Sequence, residues 1–145
     1  MKFSDAVELY GKYVGNWGGE STVWRFDGIK DGQVVISRTL GQSCKLHLDV
    51  TVSKTSLIEA DTYDMARVRV RVVDEYGNLT PYYQLPVRFT ASGSIDVRGL
   101  DNAALEGGCS GCYIATKGQE GKGYLQIHAE GLEPVNIEFE TEVGK

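Results

Sequence analysis

Valine and arginine alternate through Ala66-Arg67-Val68-Arg69-Val70-Arg71-Val72-Val73. Val68, Val70 and Val72 fall on one side of an extended chain, and Arg67, Arg69 and Arg71 on the other. A period of two with β-branched residues on one face predicts a half-buried strand of antiparallel sheet. The strand is expected to stop in Asp74-Glu75-Tyr76-Gly77-Asn78, where Gly77 and Asn78 tolerate the positive φ of a tight turn. A second clean alternation runs over 44–52. There Cys44, Leu46, Leu48, Val50 and Val52 oppose Lys45, His47, Asp49 and Thr51.

Shorter runs of the same kind fill the rest of the C-terminal part, at 57–60, 85–90, 95–97, 112–116, 124–129 and 135–139. With 66–73 they make seven short strands separated by turn signals, the pattern of an immunoglobulin-like β-sandwich. The Cys…Trp…Cys spacing of antibody domains is absent, so the pattern implies architecture only. Before residue 53 the period differs. Phe3, Ala6, Val7, Tyr10, Tyr13 and Val14 recur at three- and four-residue steps, which predicts a short helix over 3–14. Asp5 and Glu8 have capping-box spacing, and Gly15-Asn16 offers a stop, although Gly11 leaves an irregular strand open. Next, 23–26 and 33–38 flank Lys30-Asp31-Gly32, a hairpin turn, and Trp24 is expected in a core. The fold expected is all-β, with a short N-terminal helix and a few extra strands. Residues 1–52 would close a preceding sandwich, and 53–145 would form a complete one.

Composition narrows the functional classes. The 145 residues suit one domain or one domain plus part of another. Lys and Arg total 15 against 20 Asp and Glu, a formal charge of −5. That balance argues against a nucleic-acid partner, which needs clustered positive charge. Arg67, Arg69 and Arg71 read as a solvated outer face that discourages edge-to-edge pairing. No apolar run reaches the length of a membrane-spanning helix, so no membrane partner is expected. Met1 leads directly into Phe-Ser-Asp-Ala-Val-Glu with no secretory signal, and the three cysteines cannot form a complete disulfide framework. Both points favour the cytoplasm.

The order of strand and turn signatures is familiar. It runs from Val23-Trp24-Arg25-Phe26 through Asp31-Gly32-Gln33-Val34-Val35 to Leu46-His47-Leu48-Asp49-Val50. Leu57-Ile58-Glu59-Ala60-Asp61, Ala66-Arg67-Val68-Arg69-Val70 and Asp74-Glu75-Tyr76-Gly77-Asn78 follow. Pro86-Val87-Arg88-Phe89, Gly93-Ser94-Ile95 and Gly107-Gly108-Cys109-Ser110-Gly111 close the series. This series resembles the C-terminal immunoglobulin-like region of bacterial family-2 glycoside hydrolases of the β-galactosidase type. The resemblance implies a parent glycosidase whose catalytic barrel lies elsewhere, and it makes the other domains of that parent the expected partners. The expected role is a non-catalytic accessory domain that braces the barrel or a subunit interface. A carbohydrate-binding module and a surface-adhesion repeat are the alternatives.

Candidate chemistry is sparse. Retaining glycosidases use two carboxylates about 5–5.5 Å apart. In the resembled enzymes both project from a (β/α)₈ barrel of about 250 residues, for which this chain is too short. No catalytic residue is therefore expected. Cys109-x-x-Cys112, at a Gly-rich turn, and Cys44-x-x-His47 have the spacing of zinc ligands, but Cys44 and His47, three apart on a strand, face opposite sides of the sheet. No metal and no cofactor are expected, and Cys109 and Cys112 would be either a disulfide or two free thiols. Trp17, Tyr82 and Tyr83 are the carbohydrate-binding candidates, since a pyranose face stacks on an aromatic ring. Packing of these rings into a core or onto a neighbouring domain is the alternative use.

Overall fold

The computed structural model describes residues 2–14, 22–42 and 45–144. The chain divides into two compact units, Met1–Cys44 and Lys45–Lys145. The first holds helix α1 (Phe3–Tyr13) and a hairpin of β1 (Trp24–Lys30) and β2 (Gln33–Leu40). Lys2 N–H donates to the Asp5 carboxylate at 2.9 Å, so Asp5 closes the first turn from inside the helix rather than capping it. The expected stop at Gly15-Asn16 lies outside the described residues. At the hairpin tip Asp31 and Gly32 have φ of 52° and 76°, as the expected Asp-Gly turn requires.

No described residue of the first unit is buried. Trp24 stands opposite Leu40, and Phe26 opposite Arg38. On the other face Asp27 accepts from Arg25 Nε at 2.9 Å and Ser37 Oγ at 2.5 Å. Trp24 is 46% exposed and not a core residue, because two strands alone cannot cover it.

The second unit is a sandwich of nine strands. They are β3 (His47–Val52), β4 (Ser56–Glu59), β5 (Met65–Val73), β6 (Pro86–Gly93), β7 (Ile95–Arg98), β8 (Asn102–Ala104), β9 (Cys109–Thr116), β10 (Gly121–Ala129) and β11 (Val135–Val143). One sheet has the order β3-β5-β9-β7 and the other β4-β11-β10-β6-β8. These are the two sheets of an immunoglobulin-like sandwich, with β4 and β8 as additions to its seven strands. Leu48, Val68, Val70, Val72, Ile95, Cys112 and Ile114 line the inner face of the first sheet. Leu57, Val87, Phe89, Leu125, Ile127 and Phe139 meet them from the second. Phe89 and Phe139 are fully buried, each contributing about 1.5–3 kcal/mol by leaving water.

The alternation of β5 holds as read: Val68, Val70 and Val72 are buried while Arg67 and Arg69 are exposed. The boundary expected at 52/53 moves to 44/45. The strand over 47–52 pairs antiparallel with β5 from His47↔Val73 to Val52↔Val68, so it opens this sandwich and does not close a preceding one. The chain then switches sheets. Arg67 N–H donates to Ser53 Oγ at 2.9 Å, Glu140 N–H to Thr55 carbonyl at 2.9 Å, and β4 pairs parallel with β11. In the turn after β5, Gly77 alone adopts positive φ, at 80°. Asp74 organises that turn, accepting from the backbone of Tyr76 at 2.9 Å and of Asn78 at 2.8 Å.

Candidate functional site

The tyrosine candidates sit on a loop anchored from below. Thr80 is buried and donates through its backbone and Oγ1 to the Val72 carbonyl, each at 2.9 Å. The chain turns there, with Tyr83 N–H donating to the Thr80 carbonyl at 3.1 Å. Tyr82 leaves its ring 70% exposed. Tyr83 packs on the core, and its hydroxyl donates to the Glu130 carbonyl. Burial, then the nearby Glu130 carboxylate, raises its pKa. Tyr83 is thus a tie between this loop and the turn after β10, while Tyr82 presents an open face. Trp17, the third candidate, lies outside the described residues.

Next to that tie is a shallow groove of about 240 Å³ lined by Pro86, Arg88, Asn102, His128 and Glu130. Its core is one cross-strand row, in which His128 opposes Arg88 and Arg88 opposes Asn102. Arg88 Nε donates to Asn102 Oδ1 at 3.2 Å. This row escaped the reading of the sequence because β8, three residues long, has no visible alternation. The outward period of β6 and β10 was its only signal.

Several carboxylates are engaged as acceptors. Asp64 takes both Lys54 Nζ contacts at 2.6 Å and the Ile58 and Met65 N–H groups at 3.0 and 2.8 Å. Those contacts, Lys54 first, hold its carboxyl below the usual range. Burial opposes ionisation of Asp74, but the Asn78 and Tyr76 donors outweigh it and lower its pKa as well. Asp27 is lowered by Ser37 and Arg25. Asp27, Asp64 and Asp74 thus all shift downward, opposite to the direction a general acid at neutral pH needs.

The cysteines are separated by the pleat of β9. Cys112 points into the core and Cys109 is half-buried toward the other side, and both thiols are free. Of the two alternatives open from the sequence, this is the second, and it follows from a strand that begins at Cys109 rather than at Cys112. Burial pushes the Cys112 thiol up to about 12. Among the described residues no three His, Cys, Asp or Glu side chains converge as metal ligands. Cys44 lies outside the described residues.

Comparison with known proteins gives this geometry its context. Residues 48–138 match the model of the glycoside hydrolase family 2 C-terminal domain 5. A β-galactosidase of Thermoanaerobacter pseudethanolicus is 31% identical over 115 residues, covering 79% of this chain and 16% of the relative. A β-galactosidase of Bacteroides ovatus is 29% identical over 130 residues, covering 78% and 15%. The chain thus spans about a sixth of the length of these curated relatives. The crystal structure of a β-glycosidase from Bacteroides vulgatus superposes with a TM-score of 0.68 at 18% identity, over 83% of this chain and 17% of that one. That likeness is one of fold. The family match runs from the first strand of the sandwich to its last, and on that ground the chain belongs to the glycoside hydrolase family 2 C-terminal domain 5 family.

Proposed function

We infer that this chain is a non-catalytic accessory part of a β-galactosidase-like glycoside hydrolase, bracing the catalytic barrel or a subunit interface. One observation carries the reading. The sandwich of 45–144 closes a complete core, whereas the described part of Met1–Cys44 leaves Phe3, Val7, Tyr10, Trp24, Phe26 and Ile36 exposed. An amphipathic helix and a two-stranded hairpin with no buried residue need further apolar surface to rest on. Relatives several times longer than this chain supply a natural source for it.

The test compares the parent enzyme with and without this segment. Purified by itself, the 145-residue chain is expected to leave nitrophenyl galactoside intact. Deleting it from the parent is expected to lower the parent's melting temperature or dissociate its subunits. Hydrolysis by the isolated chain, or a parent unchanged in stability and assembly after the deletion, would overturn the reading. Carbohydrate binding is the second reading, favoured by the exposed Tyr82 ring. Retardation in a neutral-polysaccharide gel that disappears in Tyr82→Ala would establish it.

A further inference from the structure

The outer face of the β3-β5-β9-β7 sheet carries an arrangement that no single strand reveals. Register places Arg67 opposite Tyr113, and Tyr113 opposite Arg98, so the three form one row across β5, β9 and β7. All three are exposed, Tyr113 by 50%. Arg98 lies over the ring of Tyr63 at 5.5 Å, which orients its guanidinium. One position along the sheet, Arg69 opposes Gly111, where no side chain rises from the floor.

The charges on this face are not all alike. Arg71 faces Asp49 across the strands and is neutralised by it. Arg67, Arg69 and Arg98 have no carboxylate in ion-pair contact among the described residues. Asp96, two positions from Arg98 on β7, is the nearest acidic residue in sequence and makes no such contact either. Three uncompensated guanidiniums around an open tyrosine thus stand out on a chain whose net charge is −5.

We propose that the Arg67–Tyr113–Arg98 row, with Arg69, binds an acidic polysaccharide, a chain of pyranose rings bearing carboxylates. The tyrosine face stacks a sugar ring, and the guanidiniums on either side take carboxylates in the bidentate geometry to which arginine is suited. Charge density decides between polyanions. Two interstrand steps put Arg67 and Arg98 about 10 Å apart at the backbone, whereas a DNA duplex carries a charge every ~1.7 Å. Arginines so spaced neutralise few phosphates, and the net negative charge of the chain repels a dense polyanion at long range. A polyuronate carries only one charge per sugar, a lower density than nucleic acid, and each charge sits on a ring that Tyr113 can stack.

Affinity electrophoresis of the full 145-residue chain tests this, using native gels cast with polygalacturonate, with neutral dextran, or with neither. The expected result is retardation that grows with polygalacturonate, falls with added salt and is absent in dextran. Arg67→Ala with Arg98→Ala should abolish it, and Tyr113→Ala should weaken it severalfold. Arg71→Ala with Asp49→Ala, which removes a pair whose charges already cancel, should leave it unchanged. Circular dichroism melts of the same variants show that the sandwich persists. No retardation by polygalacturonate, retardation that survives the double arginine variant, or equally strong binding of a single-stranded oligonucleotide would each overturn the proposal.

Discussion

Gly123 is buried on β10 and faces Ile95 of the opposite sheet. A Cβ built there would lie 2.6 Å from Ile95 Cγ1, 2.7 Å from Cγ2 and 3.1 Å from Cβ, all on β7 of the opposite sheet. Real Cβ atoms do not come this near, and Ile95 is buried at 1% exposure with little room to turn aside. Overpacking of this kind costs about 1–3 kcal/mol. Against it stands the loss of glycine's freedom in the unfolded chain, worth about 0.4–1 kcal/mol in favour of alanine. The expected net effect of Gly123→Ala is a destabilisation of about 1–2 kcal/mol, or roughly 4–15 °C in Tm for a unit of this size. Ile95→Ala removes the two Cγ atoms responsible, at its own cavity cost of about 2–5 kcal/mol. In that background the two nearest contacts are gone and only the position-95 Cβ, at 3.1 Å, remains close, so Gly123→Ala should cost much less. Urea unfolding of the four proteins in this cycle measures the coupling directly. A Gly123→Ala protein as stable as the parent, or one that loses the same amount in both backgrounds, would refute the reasoning.

Two further outcomes follow from the titrating groups. Only a thiolate is alkylated, so Cys112, its pKa raised to about 12 by burial, should resist iodoacetamide at pH 8 until denaturant is added, while the half-buried Cys109 reacts first. Peptide mass mapping reads both, and equal native rates would refute it. Asp64 and Asp74 are held below the usual carboxylate range, so in acid the folded state binds fewer protons than the unfolded chain. Their contribution is complete above the unfolded-state value near ~3.9 and is lost as pH falls through the lower folded-state values. The urea midpoint should therefore drop between pH 5 and pH 2, and less steeply in Asp64→Asn with Asp74→Asn. A wild-type midpoint that stays flat over that range would count against the assignment.

Local period was enough to read β5, the hairpin turn at Asp31-Gly32 and the sandwich class, because each is written in adjacent residues. What escaped was set by contacts between distant ones. Gly107-Gly108-Cys109-Ser110-Gly111 reads as a loop, yet β9 begins at Cys109. Gly111 is there because a Cβ would come within 2.5 Å of the Val68 carbonyl, a requirement of the neighbouring strand. The alternation at 47–52 was recognised as a strand, but its partner was not. Only pairing with β5 shows which domain it belongs to. The same limit hid the aromatic centre of the arginine face. Arg67 and Arg69 were visible as outward charges, while Tyr113 and Arg98 reach their side only through the order of the sheet.

The parallel pairing of β4 with β11 has a consequence for synthesis. Ser56 meets Glu140 across roughly eighty residues, and such distant contacts slow folding because the loop must close before it is rewarded. During translation the early strands leave the ribosome long before β11 does. The edge of β4 then has nothing to pair with, and the inner face under Leu57 waits without Phe139. The sandwich therefore closes late, at residues 135–143. Until those residues emerge, the nascent chain carries an open strand edge of the kind that chaperones and neighbouring chains recognise.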